Sequence, residues 1–201
     1  MKFRFQLMLL IAFSVACKNS SRKVISKTLN LQEIKITIAK YDSIYLKHDP
    51  KFIKSYVQIK GNNHFTQLKN LKSLPEGITE SIDILYNKNG KIIVLEILPE
   101  SESGDYFNSV TYYFYENGKT MAYETYSSFF SDDCTIEGLT NGSVKEIKRQ
   151  YFDTQFKSLG TTYSLTDDKN KKLDSSKCIF NYRMEIEPVK SVIDIEELKR
   201  L

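Results

Sequence analysis

The sequence predicts an α+β protein: an antiparallel β-meander sheet built of successive hairpins, with an N-terminal helix and a short C-terminal helix. Apolar residues between Leu31 and Tyr45 recur at helical spacing. Further along, runs rich in Val, Ile, Tyr and Phe are joined across Asn-Gly dipeptides at 89–90 and 117–118, the strongest short-range signal for a hairpin. Successive hairpins with a helix on one face are enough to bury a core.

The N-terminus has the outline of a secretory signal. Lys2 and Arg4 precede an apolar, uncharged run at 7–13, which is far shorter than the roughly 20 residues of a membrane-spanning helix. Small residues at 14 and 16 then form a cleavage pattern, and Cys17 follows it directly. We therefore exclude residues 1–16 from the fold as a cleaved signal peptide.

The position of Cys17 resembles the lipobox of bacterial lipoproteins. The lipobox has a large aliphatic residue three places before the cysteine, where this chain has Ser14. The resemblance implies that Cys17 becomes the first residue and is acylated, since each buried methylene of an acyl chain contributes about 0.8 kcal/mol to membrane binding. The alternative is ordinary signal cleavage, which leaves a free thiol at the N-terminus.

Acylation of Cys17 predicts a protein of the cell envelope, anchored to a membrane, with the outer membrane expected and its periplasmic or surface side left open. Residues 17–29 are then a polar, flexible tether, and residues 30–201 form a single domain. Without Lys2 and Arg4 the chain has 27 basic and 25 acidic side chains. That balance does not predict nucleic-acid binding, so the expected partners are the membrane, reached through the lipid, and an envelope protein or glycan.

Cys134 and Cys178 remain once Cys17 is assigned to the anchor. An even pair in an exported protein predicts a disulfide. A metal or redox site is the alternative, but a redox pair usually has the CxxC spacing and a zinc site needs more ligands than these two.

The first predicted elements lie between Leu31 and Leu74. Apolar residues recur every three or four positions in 31–45, which favours a helix, although alternating isoleucines at 34–38 leave a strand as the alternative. Pro50 is expected to end this element. A strand around Tyr56, a turn at 61–63 and a short helix at 65–74 are predicted to follow.

The hairpins follow at 81–98 and 109–130, and a third is predicted at 146–165, where the turn lacks Asn-Gly. A last strand is expected at 178–187. Residues 191–201 are predicted to be helical, because Val192, Ile195 and Leu198 fall three apart behind a capping Ser191.

The stretch from Tyr112 to Cys178 resembles a group of small lipoproteins from Bacteroidota, through its NGKTMAYE, SSFFSDDC, RQYFDTQF, YSLTD and SSKC segments. The resemblance implies an exported, β-rich fold with paired cysteines, and it brings no catalytic motif. The repeated aromatic-x-x-Asn-Gly-Lys turns are also similar to variant MORN repeats, although two independent hairpins are the favoured explanation.

Catalytic and metal-binding motifs were sought without success. His48 and His64 are the only histidines, and no GxSxG, HExxH or phosphate-loop pattern is present. The acidic loops at 100–105 and 167–174 are interpreted as solvated turns rather than calcium sites. We therefore predict no catalytic residue, no cofactor and no metal.

The aromatic run at 112–115 must place its side chains alternately on both faces of the sheet. A two-residue turn at 117–118 would set Phe114 opposite Met121 and Tyr112 opposite Tyr123, giving a core face. Tyr113 and Tyr115 would then lie beside Thr120 and Ala122 on the other face, as a candidate binding platform for a sugar ring or a partner chain. A second packed layer under the helix is the alternative.

These features predict a membrane-anchored envelope lipoprotein that acts as a non-catalytic binding or interaction module. The alternatives are an envelope enzyme of unrecognised type that uses carboxylates in a cleft, and an inhibitor or immunity protein for an exported toxin.

Overall fold

The structure is a computed structural model that describes residues 29–47, 49–69, 74–100, 106–130, 134, 143–178 and 186–201. Within these residues one α-helix packs on an eight-stranded sheet. The helix is α1 (Leu31–Tyr45), and the strands are β1 (Ile53–Ile59), β2 (Thr66–Gln67), β3 (Ile78–Tyr86), β4 (Ile92–Pro99), β5 (Phe107–Phe114), β6 (Thr120–Phe130), β7 (Ser143–Phe152) and β8 (Ser158–Thr166).

The strands are ordered β2-β1-β3-β4-β5-β6-β7-β8, and all neighbours are antiparallel. From β3 onward each strand pairs with the next one in the chain, so the sheet is a meander. The predicted α+β class and its three hairpins are confirmed.

Helix α1 begins at a capping box formed by Asn30 and Glu33. The Glu33 backbone N–H donates to Asn30 Oδ1 at 2.9 Å, and the Asn30 N–H donates to Glu33 Oε2 at 2.9 Å, which satisfies two backbone donors that a helix start leaves open. Ile34 and Ile38 are fully buried against the sheet. The helical interpretation of 31–45 is therefore correct.

The C-terminal segment covers the opposite face of the sheet. Ile195 is buried there, with Val189, Val192 and Leu198 packed beside it. The predicted helix at 191–201 is wrong: the segment contains two short 3₁₀ turns, Val192–Asp194 and Glu197–Arg200.

Hydrogen bonds to the β5–β6 hairpin hold the start of this segment. The Thr120 backbone N–H donates to Lys190 O at 3.0 Å and its hydroxyl to Val189 O at 2.7 Å, while the Val192 N–H donates to Gly118 O at 2.9 Å. The helix is interrupted at Ile195, whose extended backbone (φ −82°, ψ 117°) separates the two turns while its side chain is buried against the sheet.

Four turns of the sheet share one hydrogen-bond pattern. The turns are 87–91, 115–119, 153–157 and 167–171. In each turn the backbone N–H of the first residue donates to the carbonyl of the fifth residue, and the carbonyl of the first residue accepts the N–H of the fourth. The fifth residue is a lysine in all four turns. The fourth residue has positive φ in every case, at Gly90 (72°), Gly118 (78°), Phe156 (66°) and Asn170 (62°). This is a three-residue hairpin loop closed by a residue in the left-handed conformation.

The predicted two-residue turn at 117–118 is therefore wrong, and the pairing after it changes. Tyr112 does lie opposite Tyr123, but Phe114 pairs with Thr120, and a bulge inserts Met121. As a result Met121 packs under α1, whereas Thr120 faces the C-terminal segment.

Two further predictions concern the ends of the domain. The helix predicted at 65–74 is wrong at its start, because Thr66–Gln67 is the edge strand β2 and pairs with β1; residues 70–73 lie outside the described residues. The strand predicted at 178–187 falls mostly on residues 179–185, which also lie outside them.

The turn at 115–119 gives a test of how the hairpin and the C-terminal segment fit together. Gly90→Ala should lower the free energy of unfolding by about 1 kcal/mol, because a Cβ is unfavourable at positive φ, and its surroundings are open. Gly118→Ala should cost more, because its Cβ would lie 3.2 Å from Val192 Cγ1. Urea unfolding measures the loss of unfolding free energy in both variants. Adding Val192→Ala to Gly118→Ala should remove the extra loss, because the contact with Val192 Cγ1 is then gone. Equal losses for the two single glycine variants would contradict the packing of Gly118 against Val192.

Candidate functional site

A row of polar side chains crosses the α1 face of the sheet. Asp83, Glu96, Thr111, Glu124 and Arg149 are successive cross-strand partners on β3 to β7. Directly opposite residues share a face and lie close together. Four of the five are ionisable, so the row concentrates charge at the edge of the apolar layer beneath the helix.

Arg149 is the cation of this row and ties it to α1. Its Nε donates to Glu124 Oε2 at 2.6 Å, its Nη2 to Tyr113 Oη at 3.3 Å, and Nη2 lies 3.7 Å from Asp42 Oδ2. The Tyr113 hydroxyl in turn donates to Asp42 Oδ1 at 2.8 Å, and the guanidinium lies 5.1 Å from the Tyr113 ring centroid. One arginine thus joins β5, β6, β7 and the helix.

Partial burial sets the electrostatics of this group. Burial raises the pKa of the Glu124 carboxyl, the Arg149 guanidinium lowers it, and the charges of Asp42 and Glu96 raise it again. Burial also raises the pKa of Tyr113 well above its ordinary value. Both groups therefore hold their protons to higher pH in the folded chain than in the unfolded chain.

Tyr45 anchors the far end of α1 to the same row. Its hydroxyl lies 2.6 Å from Glu96 Oε2 and 2.9 Å from Asp83 Oδ2. It has one proton and donates to one carboxylate at a time. Burial and the two carboxylates raise its pKa far above the ordinary value, so it is a lasting donor at neutral pH.

The two tyrosines predicted as a binding platform belong to this buried layer. Tyr113 and Tyr115 are 3% and 8% exposed and pack beneath α1. The Tyr115 hydroxyl donates to Phe152 O at 2.7 Å. Neither ring is presented to a ligand, so the platform is corrected to the alternative, a packed layer under the helix.

An open cleft lies on the opposite face, over β6, β7 and β8. Its volume is about 470 Å³. Three cross-strand pairs form its floor: Tyr123 with Gln150, Thr125 with Lys148, and Ser127 with Glu146. Tyr163 of β8 lies beside Lys148, and the C-terminal segment at 186–188 forms one wall.

Two hydrogen bonds fix the aromatic side chains of this cleft. The Tyr163 hydroxyl donates to Glu146 Oε1 at 2.7 Å, and the Tyr123 hydroxyl donates to Ile186 O at 2.6 Å. Glu146 is buried, whereas the Tyr163 side chain is 46% exposed. The cleft therefore offers a fixed carboxylate, a lysine, an amide, hydroxyls and an aromatic ring on a rigid strand floor.

Part of the cleft could have been predicted from the sequence. Glu146, Lys148 and Gln150 alternate along β7, which places all three on one face. The wall at 186–188 could not be predicted, because it comes from a segment that was expected to be a strand and is placed by hydrogen bonds to a distant turn.

The remaining predicted sites have mixed outcomes. Cys134 and Cys178 form a disulfide with an S–S distance of 2.05 Å, as predicted. Cys17 and His48 lie outside the described residues. His64 is exposed, and its backbone N–H donates to Asn62 Oδ1 at 3.0 Å.

Neither a metal cluster nor a membrane-spanning helix occurs in the part of the chain that the structure describes. It contains no group of three or more His, Cys, Asp or Glu side chains able to hold a metal ion, and none of its helices has the length and hydropathy needed to cross a bilayer. The acidic turn at 167–171 has a structural role, because Asp167 Oδ1 accepts the backbone N–H groups of Lys169 and Lys171.

The chain has no match among protein-family models, curated proteins or solved structures. The resemblance to lipoproteins of Bacteroidota therefore stays a prediction.

The network around Arg149 predicts a pH-dependent effect on stability. Arg149→Met leaves Glu124 and Asp42 without their cation, and the free energy of unfolding at neutral pH should fall by about 1–3 kcal/mol. The pKa of Glu124 is raised in the folded state above its ordinary 4.5, so its contribution to stability is present below 4.5 and is lost as pH rises through the folded pKa. Arg149 limits this loss of stability, so Arg149→Met should lower the free energy of unfolding less in acid than at pH 7.

Urea unfolding at several pH values checks this prediction. Lys148→Met is the matched control, because Lys148 is the adjacent basic residue on the other face of β7 and is exposed. Adding Glu124→Gln to Arg149→Met should restore part of the stability. A loss that is the same at every pH would contradict the electrostatic explanation.

Proposed function

We propose that this protein is a lipid-anchored envelope lipoprotein that acts as a non-catalytic binding module. The observation that carries the proposal is the cleft between β6–β8 and the segment 186–188. Its floor is made of paired strands, so the polar groups that line it are held in place before a ligand arrives, and pre-organised groups lose little entropy on binding.

The lining favours a polar, hydroxyl-rich ligand such as a glycan. Lys148, Gln150 and Thr125 supply donors, Glu146 and the hydroxyls supply acceptors, and the exposed ring of Tyr163 supplies a flat apolar surface. Small-ligand sites usually combine a few placed polar groups with aromatic surface in this way. Charges of both signs line the cleft, which suits a ligand with little net charge.

The sequence supplies the argument for the membrane anchor. A basic and apolar N-terminal segment ends in small residues directly before Cys17, and the polar residues 17–29 lead into α1. Helix α1 and the cleft lie on opposite faces of the sheet, so the anchor enters the domain away from the proposed ligand site.

A hydrolytic enzyme is the second candidate, and one observation favours it. Glu146 and Glu187 both line the cleft, and a pair of carboxylates is the minimal equipment for glycoside hydrolysis. Glu146→Gln distinguishes the two functions: it would abolish the release of products from a bound glycan if the protein is an enzyme.

Acylation of Cys17 is the first testable part of this proposal. Cells that express the full chain and are fed an alkyne-tagged fatty acid should label the wild-type protein, and mass spectrometry should find the tag on a peptide that begins with Cys17. Cys17→Ser should lose the label, because the acceptor thiol is gone. Cys134→Ser with Cys178→Ser is the control and should keep it; a wild-type protein without label would refute the anchor.

Ligand capture tests the cleft. The full-length protein, cross-linked in the envelope of the cells that produce it, should enrich one glycan or glycan-bearing partner. Tyr163→Ala should reduce the yield at least about tenfold, since it removes an aromatic contact and the bond to Glu146. Phe107→Ala is the matched control: Phe107 is 45% exposed, against 46% for Tyr163, and lines a different depression.

The outcomes separate the two functions. A captured ligand that is lost with Tyr163→Ala and kept with Phe107→Ala supports the binding module. A ligand that is released as smaller products, and accumulates intact on Glu146→Gln, supports the enzyme. Equal capture by both aromatic variants would exclude the cleft as the ligand site.

A further inference from the structure

We infer that one end of the domain docks on an anionic lipid surface. This end, the basic end, consists of the turns 87–91, 115–119 and 153–157, the C-terminal part of α1 at 40–47, the connection 49–52 and the residues 190–193. The inference extends the membrane attachment proposed above, by assigning a second contact with the bilayer besides the lipid.

The topology brings these segments together. In an antiparallel meander every second turn lies at the same end of the sheet, which places the β3–β4, β5–β6 and β7–β8 turns side by side. The Tyr86 N–H donates to Phe52 O at 2.8 Å, and this joins the connection after α1 to the same end. The Val192 N–H donates to Gly118 O at 2.9 Å and brings the C-terminal segment there as well.

Lysines dominate the charge of the basic end. Exposed lysines occur on every segment of it: Lys40, Lys47, Lys51, Lys88, Lys91, Lys119, Lys157 and Lys190. The acidic residues on the same segments are Asp42, Asp49, Glu116 and Asp153. Asp42 faces the sheet beside Arg149, and Asp49 and Asp153 accept backbone N–H groups of their own turns. The net charge here is clearly positive, although the whole chain is close to balance.

The described part of the opposite end differs. Its turn at 167–171 and the following residues up to 177 carry three acids, Asp167, Asp168 and Asp174, beside four lysines. The excess of lysines over acids is therefore larger at the basic end, and a surface of this kind attracts anionic headgroups within about 8–10 Å at physiological salt.

Apolar side chains project among the lysines. Leu46, at the end of α1, is 75% exposed, and Ile193, on the C-terminal segment, is 78% exposed. They lie on segments that flank the two faces of the sheet, so both can enter the headgroup region when the strands stand upright on the bilayer. Exposed aliphatic residues surrounded by lysines are typical of surfaces that lie in a membrane interface.

A cleft of about 720 Å³ opens between α1 and the β3–β4 turn at the same end. Tyr41, Ile44, Phe52, Tyr86 and Ile93 line it with apolar surface, and its rim carries three lysines, Lys40, Lys47 and Lys88, with two acids, Asp49 and Glu116. An anionic headgroup can pair with the rim while its glycerol and upper acyl carbons meet the apolar lining.

The chain also enters the domain at this end. A Cβ at Gly160 would lie 3.9 Å from Leu31 Cδ2, so the start of α1 packs just after the β7–β8 turn. A tether at 17–29 spans at most about 45 Å when fully extended. An acyl anchor on Cys17 would therefore tether the domain through the end that carries these lysines.

Lysine protection on vesicles tests the inference. The full-length protein, purified from membranes and reconstituted into vesicles, is treated with an amine-acetylating reagent that cannot cross the bilayer, and each lysine is followed by mass spectrometry. Acetylation of Lys47, Lys88 and Lys119 should be slower in vesicles that contain phosphatidylglycerol than in pure phosphatidylcholine, by at least about threefold at low salt. Lys169 and Lys172, at the opposite end, should react equally in both.

Charge reversal supplies the matched variants. Lys47→Glu with Lys88→Glu should abolish the difference between the two vesicles, whereas Lys169→Glu with Lys172→Glu, the same change in net charge, should keep it. Protection of every lysine alike, or of none, overturns the inference, as does protection that requires a membrane protein extract instead of lipid alone.

Flotation separates this inference from the anchor. Protein that floats with phosphatidylcholine vesicles but shows no selective protection with phosphatidylglycerol keeps the anchor and overturns the docking surface. Protein that floats only with phosphatidylglycerol, and only at low salt, supports the docking surface and overturns the anchor. Protein that floats with neither overturns both.

Discussion

The fold depends on two short segments, α1 and the C-terminal segment, which cover the apolar residues on the two faces of one sheet. Ile34 and Ile38 press α1 onto one face, and Ile195 with its apolar neighbours closes the other. A sheet of β-prone strands with an uncovered apolar face would associate with other chains. The helix is short, so the apolar layer beneath it does not extend over the whole sheet. The polar row that includes Glu124 and Arg149 begins at the margin of this layer.

This arrangement explains why the charged residues lie where they do. Asp42 and Tyr45 follow Ile38 at helical spacing and so face the sheet at the margin of the apolar contact. There they meet Arg149, Glu96 and Asp83, which would be costly to bury without partners. The network holds α1 against the sheet, and on the opposite face the region over β6, β7 and β8 presents its own polar groups in a cleft.

Much of the fold could be predicted from local pattern. The spacing of 31–45 and the Asn-Gly turns specified a helix and the hairpins, because these signals act within a few residues. The loop length could not be predicted as simply, since the turn at 153–157 reaches the same geometry with Phe156 in place of glycine. Tertiary packing decided the C-terminal segment, because Ile195 is extended and buries its side chain against the sheet, and the burial of Tyr113 and Tyr115 depended on where α1 crosses.

The late position of the covering segment has a consequence for biosynthesis. Helix α1 and all eight strands precede residue 189 in the chain, so the sheet and its helix can assemble before the second face is closed. Until residues 189–198 emerge, Tyr112, Phe114 and Tyr123 stay uncovered on that face. A chain that is synthesised from its N-terminus therefore passes through a stage in which one face of the sheet is covered and the other still exposes apolar side chains, and this is the stage at which a chaperone would meet it.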